Sequence, residues 1–403
     1  MPGESSPRRP IAIIGGTYVE RCQWPVWYEL FGSGLRAAAA LSGRDLDISL
    51  HTYVSALRAS NLNSISAALR FGVVTSETSA LYAFHYQHSL ADPHCIAPTE
   101  LPKTSLVVEA DTVLCYGMME GNAIVRARRA VYDPQSPLSP KNFHENGSSA
   151  KQLAILTNEA EARALSGLND LHEAGTRLLS TQRAEVVIIK SGLKGATVFT
   201  DSGVTEVAAY RARSAFLIGS GDVFSAEFAY RWLIENCSPR KAAELASLAV
   251  AYYCQSPSVP IPRTLPKDFN PSPLAIDKGK SRSVYLAAPF FNMQQLWMVE
   301  EALAHLGSQG LKVFSPFHKI GVGEPAEVAQ QDTDAIAKSD GLFALLDGYD
   351  PGTLFEIGFA RALKKPVTVF VTPTEPTNLT MLVGSGCDVF HDFVSAIYWE
   401  ASR

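Results

Sequence analysis

Residues 340–366 read DGLFALLDGYDPGTLFEIGFARALKKP, and the order of elements inside this stretch decides the architecture around it. Leu342 to Leu346 is a short apolar run of the kind a buried strand needs. It stops at Asp347-Gly348, and Tyr349-Asp350-Pro351-Gly352 reads as a turn. Thr353 through Lys364 has the spacing of a packed helix, with Leu354, Ile357, Phe359 and Ala360 on its apolar side and Pro366 closing it. In open α/β sheets ligands sit where strand ends meet helix starts, so Asp347, Asp350 and Glu356 are expected at the mouth of a pocket. A second reading of the same residues is structural: Thr353-x-x-Glu356 is also a capping box, in which Glu356 serves only a backbone amide.

Four motifs follow one another in order here: Tyr285-Leu-Ala-Ala-Pro-Phe-Phe291 with Gln295, then Asp332-x-x-x-Ile336, then Asp350-x-Gly352-Thr-x-x-Glu356-x-Gly358, and finally Asn378-Leu-Thr-Met-Leu382. Together they resemble the nucleoside 2-deoxyribosyltransferase family from about Ser281 to the C-terminus. The resemblance implies a flavodoxin-like sheet and cleavage of an N-glycosidic bond. It implies Glu356 as nucleophile at the anomeric carbon, Tyr285 as its orienting partner, and Asp350 and Asp332 on the sugar hydroxyls and leaving base. Gln295 and Gly352 fall on the substrate side of the same motifs. Asn378 matches a residue that reaches the substrate of a neighbouring subunit, which implies a homo-oligomer. The chemistry is consistent with these roles. A carboxylate attacks better when ionised, and a place in the first helical turn favours the anion. Expelling a base needs a proton, for which Asp332 is the candidate.

The chain has 403 residues, 46% hydrophobic and 19% charged, with a net charge of −5. That length makes two domains the natural expectation, and the absence of a basic cluster argues against a nucleic-acid surface. Six cysteines, at 22, 95, 115, 237, 254 and 387, show neither a C-x-x-C pair nor a zinc spacing. The run Ile11 to Ile14 is too short for a signal core or membrane span, so a cytoplasmic protein without membrane partners is expected.

Ile11-Ala-Ile-Ile-Gly-Gly16 reads as a first strand ending in a glycine turn, with Glu20 just beyond. Phe31-Gly-Ser-Gly34 feeds an alanine-rich helix from Leu35 to Leu41. Segments 47–54, 81–87 and 105–108 carry strand patterns suited to a small sheet or lid. Strands at 112–117, 131–133 and 153–156 have the rhythm of a βαβ fold. Val186 to Lys190 and Ala196 to Thr200 follow, then helices from Asp222 to Glu235 and from Pro239 to Cys254, the latter N-capped by Ser238. Between Gln255 and Ser283 six prolines, at 257, 260, 262, 266, 271 and 273, read as a stiff connector.

Gly219-Ser220-Gly221-Asp222-Val-Phe224 opens the first of those helices. Glycines there let backbone amides approach an anion, and Asp222 beside them could take a proton from an attacking hydroxyl; an acidic residue merely favoured by the helix dipole is the alternative. With Asn158-x-x-Glu161 and Lys190-Ser-Gly192-Leu-Lys-Gly195, this turn resembles the ribokinase-like (PfkB) carbohydrate and nucleoside kinase family over about Ile11 to Gln255. That resemblance implies ATP and Mg²⁺, Asp222 as base, Gly219 to Gly221 as anion hole, Asn158 and Glu161 around Mg²⁺ and phosphate, and Lys190 to Gly195 near the nucleotide. Two positions depart from the family. Glu20 stands where it usually has Asp, and Arg36-Ala37 where it usually has Asn.

The expectation is therefore an α/β protein with a ribokinase-like domain (1–255), a Pro-rich linker (256–280) and a flavodoxin-like, doubly wound domain (281–403). Its expected function is bifunctional: N-glycosidic cleavage or transfer, and ATP-dependent phosphorylation of a sugar or nucleoside. Hydrolysis of nucleoside 5′-monophosphates beside a degenerate kinase, and a nucleotide sensor without turnover, are the alternatives.

Overall fold

Every residue from Gly341 to Leu346 is buried, and these six form the strand on which the C-terminal unit is built. The computed structural model describes residues 8–78, 82–96, 104–135, 139–275, 281–321, 323–372 and 379–403. In chain order its strands are β1 Arg9–Ile14, β2 Tyr18–Trp24, β3 Trp27–Phe31, β4 Leu46–Val54, β5 Gly72–Glu77, β6 Ala83–His88, β7 His94–Ile96, β8 Leu106–Tyr116 and β9 Ala123–Asp133. There follow β10 Ser149–Asn158, β11 Val186–Lys190, β12 Ala196–Thr200, β13 Gly203–Val207, β14 Ser283–Ala287, β15 Lys312–Phe314, β16 Gly341–Leu346, β17 Val367–Val371 and β18 Asp388–Phe390. The chain divides into two compact units: residues 1–212 with 216–274, and residues 213–215 with 275–403.

The first unit carries a nine-stranded sheet in the order β13-β12-β11-β10-β9-β8-β1-β4-β5, parallel except for the pairs made by β12. Its central strands are apolar on both faces, as a sheet covered by helices on each side requires; Ile13, Leu114, Val131, Leu156 and Ile188 are among the buried residues. A separate four-stranded sheet, β3-β2-β6-β7, holds the β2–β3 hairpin. Segment 47–54, expected in a small sheet, is instead β4, paired in parallel with β1 and β5 in the main sheet. Segments 105–108 and 112–117 are likewise parts of one strand, β8. Of the 81–87 segment, residues 83–87 join the smaller sheet as part of β6, and Leu81 lies outside the described residues. Alternation alone cannot tell a half-buried edge strand from a lid strand, and that ambiguity produced both differences.

The second unit is a parallel sheet in the order β15-β14-β16-β17-β18. Numbered from its own first strand this is 2-1-3-4-5, the flavodoxin-like order, with its switch point between β14 and β16. The expected α/β class, ribokinase-like then flavodoxin-like, describes both units. Helix Pro351–Ala362 leaves the carboxyl end of β16, and helix Pro325–Lys338 leads into its start. Among the described residues no helix is long and apolar enough to cross a membrane.

The Pro-rich stretch is not a free connector along its length. Ile261 is buried and its amide donates to the Ala40 carbonyl, and the Leu274 amide donates to the Ala209 carbonyl, so residues 256–274 group with the first unit. Backbone contacts that the proline count could not reveal make the difference. Because the second unit has its own core, residues 275–403 expressed alone are expected to give a soluble fragment with one cooperative melting transition. A fragment that is insoluble, or that melts without cooperativity in circular dichroism, would contradict that boundary.

Candidate active sites

Three side chains from three elements meet at the switch point of the C-terminal sheet. Tyr285 comes from β14, Asp332 from helix Pro325–Lys338 and Glu356 from helix Pro351–Ala362. The Tyr285 hydroxyl lies 2.5 Å from Glu356 Oε1 and 3.0 Å from Asp332 Oδ1. Its ring stacks on Phe314 at 5.8 Å, which fixes where the hydroxyl points. A phenol has a single proton to donate. If it donates to one carboxylate, the other contact needs a proton on the second carboxyl group.

The electrostatics agree with a shared proton. Burial raises Glu356 to about 8, Asp332 and Asp350 push it the same way, and the Tyr285 hydrogen bond pulls against them. Burial also raises Asp332, again opposed by Tyr285. The same burial and the same two carboxylates raise Tyr285 far above the ordinary phenol range, so it stays protonated. Groups this close titrate as one unit rather than as separate acids.

Asp350 is the N-cap of the helix: its Oδ2 accepts from the Thr353 amide at 2.7 Å and the Thr353 hydroxyl at 2.8 Å. This displaces the expected Thr353–Glu356 capping box by one turn and leaves Glu356 for Tyr285. It also places Glu356 sixth in a helix that starts at Pro351, in the second turn rather than the first. Stabilisation by the exposed first-turn amides therefore fades there, and burial governs its proton instead. Gln295 donates to Asp347 Oδ2 at 3.0 Å and accepts from the Phe291 amide, and Thr372 donates to Asp347 Oδ1 at 3.1 Å. Asp347 thus ties the helix start after β14 to the end of β17. A Cβ on Gly352 would lie 3.2 Å from Asp350 Oδ2, tight against the cap. Asn378 lies outside the described residues.

In the first unit the glycine turn behaves as expected in backbone terms. Gly219 has φ +78°, and helix Ser220–Ala229 begins after it. Asp222 is nevertheless already engaged. Arg36, 1% exposed, donates through Nη1 to Asp222 Oδ2 at 2.7 Å and through Nη2 to Glu20. Gln135 donates to Asp222 Oδ1. Burial works against the Arg36 charge, but Glu20, Tyr253 and Asp222 outweigh it and hold the guanidinium firmly protonated. Removing one member of such a buried pair typically costs about 3–5 kcal/mol. A cavity of about 280 Å³ opens beside this cluster, lined by Tyr18, Glu20, Arg36, Tyr86, Gly219 and Asp222 among others.

Lys190 bonds Asp133 Oδ2 at 2.6 Å, as does the Ser225 hydroxyl, and a Cβ on Gly221 would lie 3.8 Å from Lys190 Nζ. Gly192 and Gly195 have positive φ in the turn that follows Lys190, where Gly195 packs against the Val207 carbonyl. Asn158 and Glu161 cap each other's backbone amides at 2.9 and 2.8 Å. With Asn158 and Glu161 spent on the helix start and Asp133 paired with Lys190, the protein donors fit Mg²⁺ poorly, and a Mg²⁺ arriving with a nucleotide would depend mainly on phosphate and water oxygens. In the sequence motifs Arg36 stands only as a departure, and Asp133 and Gln135 belong to none of them. An arginine inside an otherwise apolar, alanine-rich helix was the available signal, since such a charge is buried only with partners.

Comparison with known proteins separates the two units in the same way. The model of the nucleoside 2-deoxyribosyltransferase family matches residues 284–393. That of the pfkB family of carbohydrate kinases matches residues 136–264. The chain thus joins a ribokinase-like segment to a nucleoside 2-deoxyribosyltransferase segment. Among solved structures, it is similar to a pyrophosphate-dependent kinase in the ribokinase family complexed with a pyrophosphate analog and myo-inositol (16% identity, 63% of this chain and 97% of that one, TM-score 0.45). It is also similar to phosphofructokinase-2 from Escherichia coli in complex with potassium (13%, 63% and 94%, TM-score 0.46) and to ribokinase from Thermotoga maritima (16%, 62% and 94%, TM-score 0.43). No curated protein matches the chain.

Two measurements check the C-terminal geometry. Titration of a ¹³C-labelled Glu356 carboxyl is expected to show a midpoint near 8, and Tyr285→Phe should move it upward, because the lost hydrogen bond had favoured the carboxylate; a midpoint near the ordinary glutamate value would contradict the buried triad. Asp350→Ala should lower the unfolding free energy by about 0.5–2 kcal/mol, as loss of an N-cap does, whereas Asp350→Ser should retain most of it in denaturant melts.

Proposed function

We propose that this protein is an enzyme of nucleoside metabolism whose C-terminal unit breaks an N-glycosidic bond through Glu356. The observation that carries this reading is the Tyr285 hydroxyl set between Asp332 and Glu356. Its productive form has Glu356 ionised and Asp332 protonated. Glu356 attacks the anomeric carbon; the bond from that carbon to the base nitrogen breaks, and the base leaves with the proton of Asp332. A second base, or water, then attacks the same carbon, the ester to Glu356 breaks, and the acceptor's proton returns to Asp332. Tyr285 steadies the Glu356 anion before attack, and Asp350 Oδ1, the oxygen not used by the cap, is available to a sugar hydroxyl. Transfer to a base is the favoured outcome by the resemblance at Asn378; hydrolysis is the alternative.

The resemblance of the ribokinase-like segment implies ATP-dependent phosphorylation of a sugar or nucleoside with Mg²⁺ as a second activity. The glycine turn and Lys190 support the binding of phosphate, and transfer would require Asp222 to be released from Arg36. Small-molecule nucleosides, nucleotides or sugars are the ligands, and self-association in the cytoplasm is the expected state.

Glu356→Gln keeps the side chain's shape while removing the nucleophilic charge, so base release from a nucleoside panel, followed by mass spectrometry, should fall by at least about 1,000-fold with the fold intact. A folded variant with near-normal turnover would refute the nucleophile. In the wild type, the rate at limiting substrate should fall as pH rises through about 8, where the pair loses the proton that Asp332 delivers to the base. A rate unchanged from pH 7 to 9 would count against it.

A further inference from the structure

We infer that the ribokinase-like unit binds a phosphate-bearing small molecule, a nucleotide or pyrophosphate, without transferring its phosphoryl group, because Arg36 occupies the carboxylate that transfer would need. This goes beyond the function proposed above and does not rest on the glycosidic reading.

Two sets of observations meet at this point. On the anion side, the Gly221 and Asp222 amides stand in the first turn of a ten-residue helix, the Ser220 amide being taken by the Leu217 carbonyl, and Lys190 Nζ reaches the same turn beside Gly221. Arg36 Nε, buried and without a hydrogen-bond partner among the described residues, lies against Gly219, where a Cβ would come within 2.1 Å of it. These groups favour phosphate oxygens, and the glycine turn and Lys190 fall inside the matched segment 136–264.

On the acceptor side the arrangement works against chemistry. A hydroxyl attacking phosphorus must pass its proton to Asp222 as the oxygen–phosphorus bond forms and the leaving phosphate departs. Asp222 Oδ2 already accepts from Arg36, and Oδ1 from Gln135. A guanidinium does not give up its proton in a protein, so its hydrogen bond stays on the Asp222 oxygen that would have to receive the hydroxyl proton. The pair cannot simply swing apart, because the other end of the guanidinium is held by Glu20, itself 4% exposed. Arg36 therefore spans the floor of the cavity in which an acceptor hydroxyl would approach the base. The phosphate half of the site is built, and the proton-accepting half is closed.

The test uses the full chain. Calorimetric titration with ATP plus Mg²⁺ and, separately, with inorganic pyrophosphate should show saturable binding of at least one. Product formation from a panel of sugars and nucleosides, with water as the remaining acceptor, should stay at the buffer background in the wild type. Arg36→Gln combined with Glu20→Gln removes one positive and one negative charge together and frees Asp222, so ADP or phosphate release should rise at least about 100-fold over wild type, the scale on which a buried pair holds its members. If that double variant does not fold, Arg36→Lys keeps the charge but cannot fork to both carboxylates, and a smaller rise is expected from it. Wild-type phosphorylation of any panel member at ordinary kinase rates would overturn the proposal. So would absence of binding by both ATP and pyrophosphate, or a folded, ligand-binding Arg36 variant as silent as wild type. Base release is followed in parallel, and its loss would bear on the C-terminal unit alone.

Discussion

A carboxylate taken out of water must find a charged partner or a proton, and both units are organised around that constraint. Each holds two acidic side chains around one donor. In the C-terminal unit the donor is the Tyr285 phenol, facing Asp332 and Glu356; in the N-terminal unit it is the Arg36 guanidinium, forked to Glu20 and Asp222. The two solutions differ in what remains possible afterwards. A phenol shares one neutral proton, so one of its two neighbours keeps a proton of its own and the other is free to ionise. A guanidinium neutralises by permanent charge and leaves both neighbours as paired anions. The first arrangement keeps acid and nucleophile side by side, and the second holds a carboxylate in place.

The folds explain how such groups are brought together at all. In the flavodoxin-like order the connections on either side of the first strand run in opposite directions, which leaves a crevice at the carboxyl ends of β14 and β16. Tyr285 enters it from the strand, and the helices before and after β16, which share one apolar core, bring Asp332 and Glu356 to it. The close approach of Glu356 is permitted because Asp350, not Glu356, caps its helix. In the other unit, the close approach comes from glycine. Gly219 in its left-handed conformation leaves the space that the Arg36 side chain fills, and any side chain at that position would collide with the guanidinium.

Much of this was legible in the sequence where one physical requirement dominated. The apolar run at 342–346 suited a buried strand, the turn at 349–352 followed it, strand-then-helix order brought Asp350 and Glu356 to the crevice, and the family resemblance added Asp332. What could not be read was which carboxylate the helix start would use. Thr353 and Asp350 are both good caps, and only the backbone turn at Pro351 puts Asp350 at the N-cap and Glu356 one turn too far in to serve. The favourable helix-start environment expected for Glu356 was consequently replaced by burial, which acts in the opposite direction on its proton. Prolines between 256 and 274 gave the same lesson for the connector: composition spoke for stiffness, while the packing of Ile261 depended on a distant surface.

Arg36 marks where local reading and tertiary structure part most clearly. In sequence it is one charge in the run Gly-Leu-Arg-Ala-Ala-Ala-Ala, where a long side chain at a helix surface would ordinarily reach solvent. In the fold that helix is enclosed, every residue from Gly32 to Leu41 being buried, so reaching solvent is not an option. The charge has to be answered inside, and the two carboxylates that answer it stand 16 positions before and 186 positions after it in the chain. Glu20 comes from β2 and Asp222 from the helix behind the glycine turn, so the Arg36 charge joins the start of the chain to the phosphate side of the site. The same residue that compensates two buried acids therefore also sets what either of them can do to a bound ligand.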